Sequence, residues 1–78
     1  MPIRVMVVDD HPMWRDAVAR DLSEAGFEVT ATAQDGALAL RVVRAARPDV
    51  VVLDLGLPDA SGVEVTRGIL EAWPAAGC

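Results

Sequence analysis

Three carboxylates are the residues of this chain best suited to chemistry. Asp9 and Asp10 close an apolar run, Ile3 to Val8, that only Arg4 interrupts. Asp54 closes a second run, Val50-Val51-Val52-Leu53. Runs of this kind, rich in β-branched residues, read as strands buried on both faces. A single aspartate at such a strand end reads as a polar boundary residue capping a turn. Two strands that both end in aspartate read as a site, because open α/β folds bind ligands at the carboxyl edge of their parallel strands. Three carboxylates in one pocket repel one another, and without a counter-charge at least one pKa must rise. A divalent cation resolves the conflict, and magnesium suits it best: it takes oxygen ligands, needs one or two carboxylates, and completes its octahedron with water and phosphate. His11 and Cys78 are the only imidazole and thiol, so no soft-metal site competes, and His11 reads as a polar loop residue rather than a ligand. A metal beside a free carboxylate suits phosphoryl transfer, with the aspartate as nucleophile giving an acyl phosphate.

The elements that position these groups alternate. After the first strand, Pro12 suits the first turn of a helix running to about Ala25, with Trp14, Val18 and Leu22 on one stripe, where Trp14 packs on the sheet or, alternatively, belongs to a docking surface for a partner protein. Gly26 stops it. Residues 28–33 alternate polar and apolar, the pattern of an edge strand with one wet face. Asp35 can N-cap a second helix that carries Ala39, Leu40 and Val43 inward and Arg41, Arg44 and Arg47 outward, and Pro48 ends it. After the third strand, Ser61-Gly62-Val63-Glu64 matches a capping box. The third helix runs to about Trp73, with Val65, Ile69, Ala72 and Trp73 inward. The order β-α-β-α-β-α implies an α/β fold, a doubly wound parallel sheet with helices on both faces. Two fully apolar strands and one amphipathic strand give the strand order 2-1-3, which sets Asp9, Asp10 and Asp54 side by side at a topological switch point.

Bulk properties narrow the function. The chain has 78 residues, 12 acidic and 7 basic, net −5, and all seven basic residues are arginine. An acidic segment repels a phosphate backbone, which excludes direct nucleic-acid binding by this stretch. One terminal cysteine allows no disulfide framework, and no signal peptide or apolar run of ~20 residues is evident, so a cytoplasmic protein without a membrane span is expected. A chain this short buries only about 60% of its unfolded surface.

The residues Val7-Val8-Asp9-Asp10-His11-Pro12, Asp35-Gly36, Arg47-Pro48-Asp49 through Asp54, and Leu55-Gly56-Leu57-Pro58 to Ser61-Gly62 resemble the receiver domain of bacterial two-component response regulators, of the type usually followed by a helix-turn-helix output domain. The resemblance covers residues 3–74, leaving 75–78 as a tail. It implies a flavodoxin-like fold and phosphorelay signalling, with a sensor histidine kinase as partner and control of a DNA-binding output domain. It makes Asp54 the phospho-acceptor, Asp10 a direct Mg2+ ligand, and Asp9 a second acidic residue holding the metal through water. Gly56 matches the position whose backbone carbonyl ligates the metal, and Pro58 and Gly62 match the pocket loop. Such domains continue with two further βα units, whose strands end in a Ser or Thr and in a Lys. This chain has no lysine, so the resemblance implies an incomplete receiver truncated after the third helix, impaired in phosphorylation and not itself an enzyme. Two other readings compete. An interaction fragment would self-associate through the open edge of the third strand. An aspartyl-phosphate phosphohydrolase would need a second aspartate where Gly56 stands.

Overall fold

The computed structural model describes residues 2–54, 56–57 and 61–75. Its elements are β1 (Arg4–Val8), α1 (Pro12–Glu24), β2 (Glu28–Ala33), α2 (Gly36–Ala46), β3 (Val50–Leu53) and α3 (Gly62–Ala72). Helix ends follow their local chemistry. Pro12 opens α1, and Gly26, at φ 99°, turns the chain out of it. Asp35 caps α2 by accepting the Leu38 N–H at 2.8 Å. Ser61 caps α3 by accepting the Glu64 N–H at 3.2 Å. α2 ends on Arg47 in the left-handed region, φ 50°, a conformation that usually selects glycine.

The strands form a parallel sheet in the order β2-β1-β3, the order that the burial pattern predicts. β1 pairs residue for residue with β3, from Val5 opposite Val50 to Val8 opposite Leu53. Against β2 the register slips between Val5 and Met6, so that Val5 faces Val29 while Met6 faces Ala31. Thr30 is the extra residue of this bulge. The entry to β3 is clamped to β1: Arg4 N–H donates to Asp49 Oδ2 at 2.9 Å, its guanidinium lies 3.4 Å from Oδ1, and Asp49 N–H donates to the Arg4 carbonyl at 2.8 Å.

The core lies between one face of the sheet and the two later helices, where Met6, Val8 and Val51 meet Val43, Val65 and Ile69. Val5 and Val7 are buried on the opposite face, where α1 rests on β1 and β2. The C-terminal ends of α2 and α3 are tied together. Trp73 Nε1 donates to the Pro48 carbonyl at 2.9 Å, Arg44 Nε donates to the Ala72 carbonyl at 3.2 Å, and the Arg47 guanidinium stands 5.8 Å from the Trp73 ring centre.

Three burial expectations are corrected. α1 buries no residue completely, and Trp14 is 65% exposed. Trp14 sits in the first turn of α1, which begins at the carboxyl end of β1. Leu40 is also largely outward, with its tip beside Gly68 at the flank of the α2–α3 contact. β3 is not buried on both faces: Val51 is buried, but Val50 and Val52 are 39% and 40% exposed. β3 has β1 on one side, and α1 packs chiefly on β1 and β2, leaving the Val50–Val52 face partly exposed.

These placements rank three substitutions. Ile69→Ala should cost about 2–5 kcal/mol and Asp35→Ala about 1 kcal/mol, whereas Trp14→Ala should stay within about 0.5 kcal/mol. Urea denaturation of the three variants checks the order, and a large loss at Trp14 would contradict the placement of α1.

Candidate functional site

The carboxylates are placed by backbone before side chain. Asp9 N–H donates to the Ala33 carbonyl at 3.0 Å, and Asp54 N–H donates to the Val8 carbonyl at 2.9 Å. Both bonds extend the sheet pairing one residue past the strands. Asp9 and Asp54 therefore stand at adjacent strand ends, as the 2-1-3 order requires, with Asp10 one residue further along the loop. One donor atom from each of Asp9, Asp10, His11 and Asp54 lies within 4.8 Å of the others.

Asp9 is the buried member. Its Oδ1 accepts the His11 backbone N–H at 2.9 Å and lies 2.8 Å from His11 Nδ1. Burial alone pushes its pKa up. The backbone hydrogen bond, the ring hydrogen bond and the nearby imidazolium charge outweigh that and hold it below the ordinary carboxylate value. Asp10 Oδ1 is shut off from solvent, makes no hydrogen bond of its own, and has His11 Nδ1 3.0 Å away. Asp54 Oδ1 accepts the Gly56 N–H at 3.0 Å. The Asp9 carbonyl accepts from Arg15 Nη1 at 3.0 Å, which fastens the loop to the first turn of α1.

His11 departs from expectation. It is the N-cap of α1, yet its side chain makes no cap bond. The ring turns instead into the carboxylates, with Nδ1 3.7 Å from Asp54 Oδ2 as well. Its pKa is raised, first by the hydrogen bond to Asp9 and then by the charges of Asp10, Asp9 and Asp54. Arg15 was likewise not singled out from the sequence. Its position four residues after His11, one helical turn on, is the signal that could have found it. Gly62 is the buried first residue of α3, and Pro58 lies outside the described residues.

The donor set fits a hard divalent cation: three carboxylates gathered at two strand ends, with one Asp10 oxygen lacking a hydrogen bond. Among the described residues no helix is long and apolar enough to cross a membrane.

Residues 5–77 match the model of the response regulator receiver domain. The chain is 38% identical over 73 residues to the transcriptional regulatory protein DegU of Brevibacillus brevis, covering 92% of this chain and 31% of that protein. It is 47% identical over 74 residues to protein-glutamate methylesterase/protein-glutamine glutaminase 2 of Anaeromyxobacter dehalogenans, covering 94% and 22%. The structure superposes with a TM-score of 0.88 on a LuxR-family two-component response regulator from Aurantimonas sp., at 42% identity, over 97% of this chain and 55% of that one. The chain belongs to the response regulator receiver domain family and has its flavodoxin-like fold. It spans under a third of those two relatives, one a transcriptional regulator and the other an enzyme, so the match speaks for the receiver alone.

The two shifted groups set a pH window for the metal-free protein. Asp9, held low, contributes stability above its unfolded pKa of ~3.9, and this is lost as pH falls through its lower folded value. His11, held high, contributes fully below its unfolded pKa of ~6.5, and this is lost as pH rises through its folded value. Stability measured in urea should therefore fall from about pH 6.5 upward, and His11→Asn should flatten that decline. An unchanged slope in the variant would refute the placement of the ring.

Proposed function

We propose that this receiver domain accepts a phosphoryl group on Asp54 in a two-component phosphorelay, in the cytoplasm. The observation that carries the reading is the convergence of Asp9, Asp10 and Asp54 at the carboxyl ends of two neighbouring parallel strands. An Asp54 oxygen attacks the phosphorus of a sensor kinase's phosphohistidine or of a small acyl phosphate. The new P–O bond forms as the bond to the donor breaks, and the leaving group keeps the electron pair. The Gly56 N–H holds Oδ1 and leaves the other oxygen for attack. Asp10, Asp54, the Gly56 carbonyl and, through water, Asp9 would hold Mg2+, which when bound neutralises charge on the phosphoryl oxygens. Pro58 and Gly62 would belong to the loop shaping the pocket. The acyl phosphate carries about −1.5 to −2 charges where the carboxylate carried one, and the regulated output would be a DNA-binding domain of the larger protein.

A further element of the reading is that this 78-residue chain phosphorylates poorly and binds Mg2+ weakly, because it holds no lysine to pair with the phosphoryl group. Mass spectrometry after incubation with acetyl phosphate and Mg2+ tests it. Substoichiometric gain of roughly 80 Da, one phosphoryl group, is expected on the wild type and none on Asp54→Asn. Labelling that survives Asp54→Asn would overturn the acceptor assignment, and full labelling of the wild type would overturn the impairment.

The exposure of Val50 and Val52 also favours a second reading, self-association through the β3 edge. An apolar strand with open backbone groups pairs readily with another copy. Sedimentation at rising concentration should show dimers, and Val52→Lys should suppress them. A monodisperse monomer at high concentration would exclude this route.

A further inference from the structure

We infer that His11 Nδ1 is a nitrogen ligand of the carboxylate site, shifting its preference from magnesium toward cations that favour imidazole. The inference rests on the reading of Asp9, Asp10 and Asp54 as a cation site and adds a donor to it.

The geometry is specific to the ring. His11 occupies an N-cap position where a side chain ordinarily turns back to the helix, and here it does not. Although 69% exposed, the side chain aims Nδ1 inward, 2.8, 3.0 and 3.7 Å from oxygens of Asp9, Asp10 and Asp54. An octahedral ion with bonds of ~2.0–2.1 Å keeps adjacent donors about 3.0 Å apart and opposite donors about 4.2 Å apart. The 3.0 Å to Asp10 matches adjacent donors and the 3.7 Å to Asp54 lies between the two spacings, while the 2.8 Å to Asp9 is a hydrogen bond that a bound cation would replace. The ring nitrogen thus stands at the edge of the site, where loss of its proton turns it into a donor.

The loop is also prepared for this. The His11 backbone N–H is bonded to Asp9 Oδ1 and the His11 carbonyl accepts the Arg15 N–H at 2.8 Å. Pro12 fixes the next φ. Asp10 and His11 can therefore supply adjacent donors, with Asp9 reached through water. On metal binding the neutral ring carries its proton on Nε2, and the exposed edge lets the Nδ1 proton leave to water. One nitrogen among carboxylate oxygens changes the selectivity in a known direction. Carboxylates suit magnesium, whereas imidazole suits nickel, copper and zinc.

Calorimetric titration of the untagged 78-residue protein with MgCl2 and with NiCl2 decides the matter, using the wild type, His11→Asn and Asp10→Asn. The His11 variant replaces the nitrogen with an amide at an exposed position, so folding is preserved. It should weaken Ni2+ by ~10-fold or more and Mg2+ by less than ~2-fold, while Asp10→Asn weakens both. Unchanged Ni2+ affinity in His11→Asn, or tightening of both ions, would overturn the inference, the latter by making the ring a competitor for the site. If Mg2+ binding is present and depends on Asp10, such a result removes only His11. If neither ion binds the wild type, or if Asp10→Asn has no effect, the cation site itself is lost along with it.

Discussion

β1 is hydrogen-bonded on both sides, and the pairing runs one residue beyond its end. Asp9 is held to β2 through the Ala33 carbonyl, and Asp54 is held to β1 through the Val8 carbonyl. Backbone bonds thus force together side chains that their own charges would separate. Everything at the site answers that constraint. Asp9 tolerates burial because the His11 N–H and ring face it. Asp10 keeps an oxygen without a hydrogen bond. A cation entering this cluster gains the energy that repulsion has left unspent.

The carboxylates were legible from sequence because each closes an apolar run, and the strand order was legible because burial separates central from edge strands. The direction of the His11 ring was not. It depends on the turn between β1 and α1, and composition alone makes any histidine in a loop look like surface polarity. Trp14 was misplaced for a related reason. Helical spacing says which residues share a face, but not how far the sheet extends beneath that face. The valines of β3 read as a strand buried on both faces, and only the Val51 face is buried. Whether cover exists is decided by other elements, and here α1 packs chiefly on β1 and β2, leaving Val50 and Val52 partly exposed.

The lower end of the molecule is braced independently of the site. Arg4 and Asp49 clamp the start of β3 to β1, Trp73 links the end of α3 to Pro48 in the segment leading into β3, and Arg44 links it to α2. Buried Pro48 offers its carbonyl to the Trp73 indole, giving that ring a polar partner while its body packs against the core. β3 is short, four residues, and these ties at one end with the Asp54–Val8 bond at the other hold it in register. The partly exposed face of β3 therefore costs lateral cover without costing alignment.

The slip between Val5 and Met6 gives β2 a property that its alternating sequence conceals. In an unbroken strand Val29, Ala31 and Ala33 would all point one way. With Thr30 inserted, Val29 stands opposite Val5 on the α1 side, while Ala31 and Ala33 stand opposite Met6 and Val8 on the α2 side. One apolar set is thereby shared between two cores. The odd residue acts as a parity bit. Strands that differ by one residue at this point would carry the same hydrophobic pattern and yet serve different faces, so in aligning such chains the count of residues matters here as much as their kind.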